Sequence, residues 1–190
     1  MSENSTREKI LSICKGLLQS KGYSSFSLEQ VAELAETSRT NVYHHFQSKE
    51  DLVKETVIKY KNDFSDILDE IEAQNLSLRE SLQSLIDTYA KVLEPDNRKI
   101  CLCICLLPEF NNLSESIQQE LRNFFDLQVN WVLKISQNVS PEITLSNDEA
   151  AMIIGSFEGI VTVARIKGGS EYFKSVTSSL VENLLLAHQN

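Results

Sequence analysis

The stretch "VAELAETSRTNVYHHFQSKEDL", Val31 to Leu52, decides the fold. It is polar, yet helix-start signals interrupt it at short intervals. Ser27, just upstream, is followed three residues later by Gln30, the pattern of a capping box. Leu28, Val31, Leu34 and Ala35 then form the apolar face of a short helix ending near Ala35. Glu36-Thr37 is a tight connector. Ser38 reads as a second N-cap, with Val42 and Phe46 facing inward at i, i+4. Ser48 is a third cap, with Asp51 at its N3 position and Leu52 and Val53 opening the next apolar stripe. Three helix starts within about twenty residues are the signature of a helix-turn-helix.

The same stretch holds two of the three histidines, His44 and His45. Adjacent residues on a helix point about 100° apart, so the two rings cannot face one metal ion together. Helical metal pairs use i, i+3 or i, i+4 spacing. No metal and no cofactor are expected here. His45 is expected to pack partly inside and His44 to face solvent.

In a helix-turn-helix the second helix enters the major groove, with its N-terminal residues toward base edges. Those residues are Arg39, Thr40 and Asn41. Arg can reach guanine O6 and N7, Asn can pair with adenine, and Thr can touch a thymine methyl. Tyr43 and His44 follow on the exposed face and can donate to phosphates. Lys49, at the start of the next helix, adds its charge to that of a helix N-terminus, and Ser27 can serve the opposite side. Each of Arg39, Thr40 and Asn41 can equally be a solvated helix residue on pattern alone.

Working outward, a first helix is expected from about Thr6 to Lys21, with Ile10, Ile13, Leu17 and Leu18 as its stripe and Gly22 as its stop. Downstream, a long helix is expected from Lys49 to about Glu72. Further helices are expected over Leu78–Leu93, Asn97–Leu107, Ser114–Gln137, Ser146–Lys167 and Glu171–His188. Pro95, Pro108, Pro141 and Gly168-Gly169 supply the breaks. The chain has 190 residues, of which 42% are hydrophobic and 24% charged, with only 3 Pro and 6 Gly. An all-α chain without long flexible linkers follows.

The polar N-terminal "MSENSTREKI" carries no apolar leader, and no run of about 18 apolar residues can span a bilayer. Met152 to Ala164 is too short and holds Glu158. The expectation is a cytoplasmic protein, not membrane-bound, whose cysteines are reduced. The net charge of −9 is unevenly spread. Residues 1–61 carry nine basic and eight acidic residues, whereas residues 62–190 carry nine and nineteen. That balance excludes a nonspecific nucleic-acid coat and suits a head that binds DNA through a few placed contacts.

Val31-Ala32, Ala35-Glu36-Thr37-Ser38, Val42-Tyr43-His44-His45-Phe46 and Ser48-Lys49-Glu50-Asp51-Leu52 closely resemble the DNA-binding head of TetR/AcrR-type transcriptional regulators, over roughly residues 7–54. The resemblance implies a helix-turn-helix head at 1–48 and a helical effector-binding and dimerisation domain at 49–190. It implies that Tyr43, His44 and Lys49 contact phosphates and that Arg39, Thr40 and Asn41 read bases of double-stranded DNA. Ser27 and Thr37 join this set, and Phe46 and Leu52 match core positions. One position departs: the family commonly has Gly in the turn, where this chain has Glu36. A left-handed residue there costs Glu more than Gly, and its charge faces a region near DNA.

The resemblance also implies a homodimer formed by the last two helices. Ile153, Phe157, Ile160, Val161 and Ala164 with Phe173, Val176, Leu180 and Leu184 are the expected interface. The alternative is that they are the chain's own core. The helices over 78–137 are implied to enclose a small-molecule effector pocket, with Cys101, Cys105, Phe124, Phe125, Gln128 and Trp131 as candidates. In "KICLCICLLPEF" the cysteines Cys101, Cys103 and Cys105 have three readings: core packing, a thiol-redox sensor, or a soft-metal sensor.

No nucleophile elbow, phosphate-cradling glycine loop or zinc-ligand spacing is present, and an enzyme is not expected. The expected function is a dimeric transcriptional regulator, a repressor released from an inverted-repeat operator by an effector. A thiol- or metal-responsive regulator using Cys101, Cys103 and Cys105 is the alternative. A helical interaction protein without DNA binding is the competing class.

Overall fold

Among the described residues, serine hydroxyls cap the starts of five helices. The computed structural model describes residues 3–93, 101–139 and 143–188. Within them lie α1 (Glu3–Lys21), α2 (Leu28–Leu34), α3 (Arg39–His45), α4 (Lys49–Glu72), α5 (Leu78–Lys91), α6 (Leu102–Leu106), α7 (Glu115–Val139), α8 (Asn147–Lys167) and α9 (Gly169–Ala187). Among the described residues there is no strand. None of these helices is long and apolar enough to cross a membrane.

Ser27, Ser38, Ser77 and Ser146 are N-caps, each hydroxyl accepting from the backbone N–H three residues on. The Ser48 hydroxyl does the same for Asp51 at 3.0 Å. Both arms of the capping box form at Ser77/Glu80 and Ser146/Glu149. At Ser27 the arm shown is the serine's own, accepting from Gln30 N–H at 3.4 Å. The expected helix spans agree to within a few residues. Pro108 does not simply break the chain; it sits in the 3₁₀ turn Leu107–Asn112. Pro95, Pro141 and the first part of the expected Asn97–Leu107 helix lie outside the described residues.

The chain divides into two compact units. The first comprises residues 1–62 and 101–123. Its core gathers Ile10, Leu11, Cys14 and Leu18 from α1, Val31 and Ala32 from α2, Val42 from α3, and Leu52, Val53 and Val57 from α4. Leu102, Cys103 and Leu106 of α6 are buried in the same unit, and α6 packs on α1. The helix-turn-helix thus shares its unit with a segment from the middle of the chain.

The second unit comprises residues 63–100 and 124–190. Here α9 packs against both α5 and α8. The core includes Leu82, Leu85, Ile86, Phe157, Val161 and Phe173. Tyr89 lies among aromatic rings, stacked on Phe173 at 5.9 Å and edge-on to Phe64 and Phe157. Its hydroxyl donates to Gln128 Oε1 and to Glu158 Oε1, the latter at 2.9 Å. One hydroxyl carries one proton, so it serves these two buried acceptors by turns. The Trp131 indole N–H donates to Leu68 O at 3.2 Å, which fixes this ring as a satisfied core residue.

One expectation is corrected in this unit. Ile153, Phe157, Val161, Ala164 and Phe173, expected at a dimer interface, are 0% exposed and line the unit's own core. Ile160, Leu180 and Leu184 are half-buried against its margin, and Val176 is half-buried as well. The outward stripe of α8 is instead Met152, Gly159, Val163 and Ile166, with Ile166 83% exposed. The reason is that α8 is apolar on both faces, so spacing alone did not say which one turns inward.

The Tyr89 hydroxyl predicts a measurable cost. Tyr89→Phe keeps the ring but deprives Gln128 and Glu158 of their donor. It should lower unfolding free energy by about 1–3 kcal/mol, read from urea denaturation. A loss below about 0.5 kcal/mol would mean that water or rearrangement replaces the hydroxyl.

Candidate nucleic-acid interface

The angle between α2 and α3 is set by a turn of defined chemistry. Thr37 N–H donates to Ala32 O and Glu36 N–H to Glu33 O, both at 3.0 Å. This pair of bonds is a Schellman motif, which requires a left-handed residue at its hinge. Glu36 is that residue, at φ 54. The Gly expected by resemblance is therefore replaced by a residue held in the same conformation. Its carboxylate turns back onto α1, where it accepts from Lys9 Nζ at 2.8 Å. The Lys9 hydrogen bond and charge hold the Glu36 carboxyl below the usual carboxylate range. Part of the acidity feared near DNA is thus answered within the head.

Beyond the turn, Ser38 caps α3 by accepting from Asn41 N–H at 3.1 Å. Val42 and Phe46 are buried, which leaves the opposite side of α3 outward. Arg39, Thr40, Tyr43 and His44 are exposed, and Asn41 is half-exposed. All the residues expected to read bases therefore stand at the first turn of α3 with accessible side chains. His44 and His45 lie edge to face with centroids 5.5 Å apart; His44 is exposed, while His45 is half-buried beside Phe46.

These side chains are pre-arranged by one another. Arg39 pairs with Glu29 of α2 at 2.8 Å and donates to the Tyr43 hydroxyl at 3.3 Å. Its guanidinium also lies 5.3 Å from the Tyr43 ring centroid. The Tyr43 hydrogen bond, then the Glu29 charge, raise its affinity for its proton further. Asn41 Nδ2 donates to Thr37 Oγ1 at 2.8 Å, which orients the amide and gives Thr37 a supporting part. Ser27 is exposed at the cap of α2. Both partners of the Glu29–Arg39 pair are over half exposed. Such a pair holds weakly and can be exchanged for a base or phosphate.

Lys49 departs from a freely presented phosphate contact. It is half-buried, and its ammonium donates to Phe26 O at 2.5 Å. It lies 4.8 Å from the Tyr23 ring and 4.3 Å from the Phe26 ring. Burial lowers its proton affinity, against the raising effect of Glu109.

The effector candidates divide between the two units. Cys101 and Cys105 belong to the first unit, and Phe124, Phe125, Gln128 and Trp131 to the second. Phe124, Gln128 and Trp131 are buried, and Gln128 is engaged with the Tyr89 hydroxyl and Phe124 O. A cleft of about 430 Å³ in the second unit is lined by Leu93 and residues 165–171, none of them candidates. Cys103 has no exposure, Cys101 is buried and Cys105 is half-buried. Burial pushes the Cys14 thiol up to about 12. Glu29, Lys9 and Glu109, which organise the head, escaped the sequence reading, because each pairs with a residue the fold alone brings near.

Comparisons with known proteins agree with this geometry. Residues 10–56 match the family described as "Bacterial regulatory proteins, tetR family". The chain is similar to the HTH-type transcriptional regulator CymR of Pseudomonas putida, 25% identical over 93% of this chain and 88% of that one. It is also similar to the HTH-type transcriptional repressor KstR2 of Rhodococcus jostii (strain RHA1), 26% identical over 50% of this chain. That match spans 47% of the KstR2 chain, under half its length. The crystal structure of a TetR-family transcriptional regulator from Agrobacterium tumefaciens shares the fold, with a TM-score of 0.87 at 23% identity, covering 96% of this chain and 98% of that one. The family match and the curated relatives thus mark the chain as a DNA-binding, helix-turn-helix transcriptional regulator. Over residues 10–56 the chain matches the TetR family, and over nearly its whole length it shares the fold of a TetR-family regulator.

The left-handed hinge gives a direct test. Glu36→Gly removes the backbone cost and should raise the thermal midpoint, although it also removes the Lys9 pair. Glu36→Ala keeps the cost and removes the pair, so it should not raise the midpoint. Circular dichroism melts decide between them: a Glu36→Gly protein melting below the wild type would mean that the ion pair outweighs the strain.

Proposed function

We propose that this protein is a homodimeric, cytoplasmic repressor that binds an inverted-repeat operator and is released by a small-molecule effector. The observation that supports it most is the first turn of α3. Arg39 and Thr40 are exposed there, Asn41 is half-exposed, and Tyr43 and His44 flank them on the same accessible side. Arg39, Thr40 and Asn41 read bases in the major groove. Ser27, Tyr43, His44 and Lys49 hold phosphates and set the register, with Thr37 orienting Asn41. Residues 1–48 act as the reader, and residues 49–190 as the effector-binding and dimerising part.

Dimerisation is supported by the outward stripe of α8. Met152, Val163 and Ile166 are large apolar residues left exposed, and Gly155 and Gly159 between them have open space where a side chain would stand. A second copy covers this stripe, with Leu180 and Leu184 of α9 at its edge. Two heads then read two half-sites related by the dimer axis. Effector binding shifts the population toward body conformations in which α4 carries the heads out of register with the grooves. Of the three cysteines of the thiol-sensing alternative, Cys101 and Cys103 are buried, which weighs against that reading, and Cys105 is half-buried.

Selection of bound DNA from random duplexes at low salt tests the reading, and an inverted repeat is the expected product. Failure to retain any sequence would favour a helical interaction protein instead. On the selected duplex, Arg39→Ala should relax discrimination at one base pair by roughly ten- to a hundred-fold. Tyr43→Phe should weaken all sequences alike. If Arg39→Ala leaves affinity and preference intact, Arg39 does not read a base.

Val163→Glu should convert the dimer to monomer in sedimentation velocity, because an unpaired charge enters an apolar contact. Its DNA affinity should fall with it. A Val163→Glu protein that stays dimeric would place the interface elsewhere.

A further inference from the structure

The connector between α1 and α2 is held by a residue from the middle of the chain. Glu109, in the 3₁₀ turn Leu107–Asn112, reaches a serine 85 residues earlier. Its two carboxylate oxygens accept from Ser24 N–H at 3.1 and 3.2 Å, and one also accepts from the Ser24 hydroxyl. These bonds, with the Lys49 charge as a lesser contribution, hold the Glu109 carboxyl below the usual range. Gly22 leaves room for the contact: a Cβ there would stand 3.0 Å from Glu109 Oε1. The connector ends at Phe26, whose carbonyl accepts from the Lys49 ammonium at 2.5 Å. The segment Tyr23–Phe26 is therefore gripped by an anion at one end and a cation at the other.

That cation is the residue assigned to a DNA phosphate above. Its ammonium is drawn inward, over the Tyr23 and Phe26 rings, within the field of Glu109. A phosphate and the Glu109 carboxylate each favour the same single charge. All the groups involved lie in the first unit.

We propose that Glu109 is a positioning residue for DNA binding, which competes with the operator phosphate for Lys49 and so sets how readily the head engages DNA. Through it, the segment of α6 and the 3₁₀ turn tunes affinity without touching DNA. The proposal rests on the reading of Lys49 as a phosphate contact. Glu109→Gln is the informative change, because the amide oxygen still accepts from Ser24 N–H while the charge is lost. Lys49→Met keeps apolar bulk against the two rings.

The test is a double-mutant cycle on the full chain with the selected duplex, read by fluorescence anisotropy across a salt series. Thermal melts check that each variant is folded. Glu109→Gln should bind about two-fold tighter, the order expected for removing a nearby, partly screened charge that is not in direct contact. In the Lys49→Met background the same change should give no gain. Lys49→Met alone should weaken binding and lower the slope of log affinity against log salt by about one.

An equal gain from Glu109→Gln in both backgrounds would overturn the proposal, since the carboxylate would then merely repel DNA. No gain in the wild-type background would overturn it as well. Lys49→Met without effect in either background would instead overturn the phosphate assignment, and the competition with it. Loss of affinity from Lys49→Met without coupling would leave that assignment standing and remove the role of Glu109.

Discussion

The left-handed residue at Glu36 is the constraint on which the DNA-reading head depends. It lets the chain leave α2 with both Schellman bonds made and enter α3 two residues later. It sets the direction in which the Ser38-capped α3 leaves α2, with Val42 and Phe46 on the buried side. A residue with a side chain tolerates this conformation only where its surroundings over-determine it. Here the surroundings are α1 below, carrying Lys9, and the capped α3 beyond. The cost of Glu at this hinge is local, and the fold absorbs it without changing the turn.

The electrostatics of the head follow from the same economy of parts. Its charge is close to balanced, so attraction to DNA cannot come from bulk potential. Each cation is placed instead. Arg39 is parked on Glu29 and Tyr43, and Lys49 on Phe26 and the neighbouring rings. A parked cation loses less conformational freedom on binding than a free one, but must first give up its partner. Exposed pairs give way at small cost, whereas the half-buried Lys49 resists more. The head therefore holds its cations with graded strength, Arg39 loosely and Lys49 more tightly.

Much of this was legible in the amino-acid order. Helix starts are local events, written in serine followed three residues later by an N–H to satisfy, and α2, α3, α5 and α8 begin where such signals stand. The outward set on α3 follows once Val42 and Phe46 are assigned inward, because helical spacing leaves Arg39, Thr40, Tyr43 and His44 on the other side. The hinge at Glu36 was legible as a departure, and its φ bears that reading out. The return of its carboxylate to Lys9 was not, because nothing local links residues 27 positions apart.

Periodicity failed where a helix is apolar all round. On α8 both Phe157 and Ile166 belong to apolar stripes, yet one is sealed in the core and the other stands in solvent. The choice between them is made by α5 and α9, which take the Phe157 side and bury Tyr89 with it. Tyr89, Gln128 and Glu158 come from three helices and meet only because that side was chosen. A polar trio of this kind acts as a register mark: sliding α8 by one residue would strand a buried carboxylate among phenyl rings. The same trio therefore explains both why the inner face could not be read from spacing and why the folded chain adopts one arrangement of it.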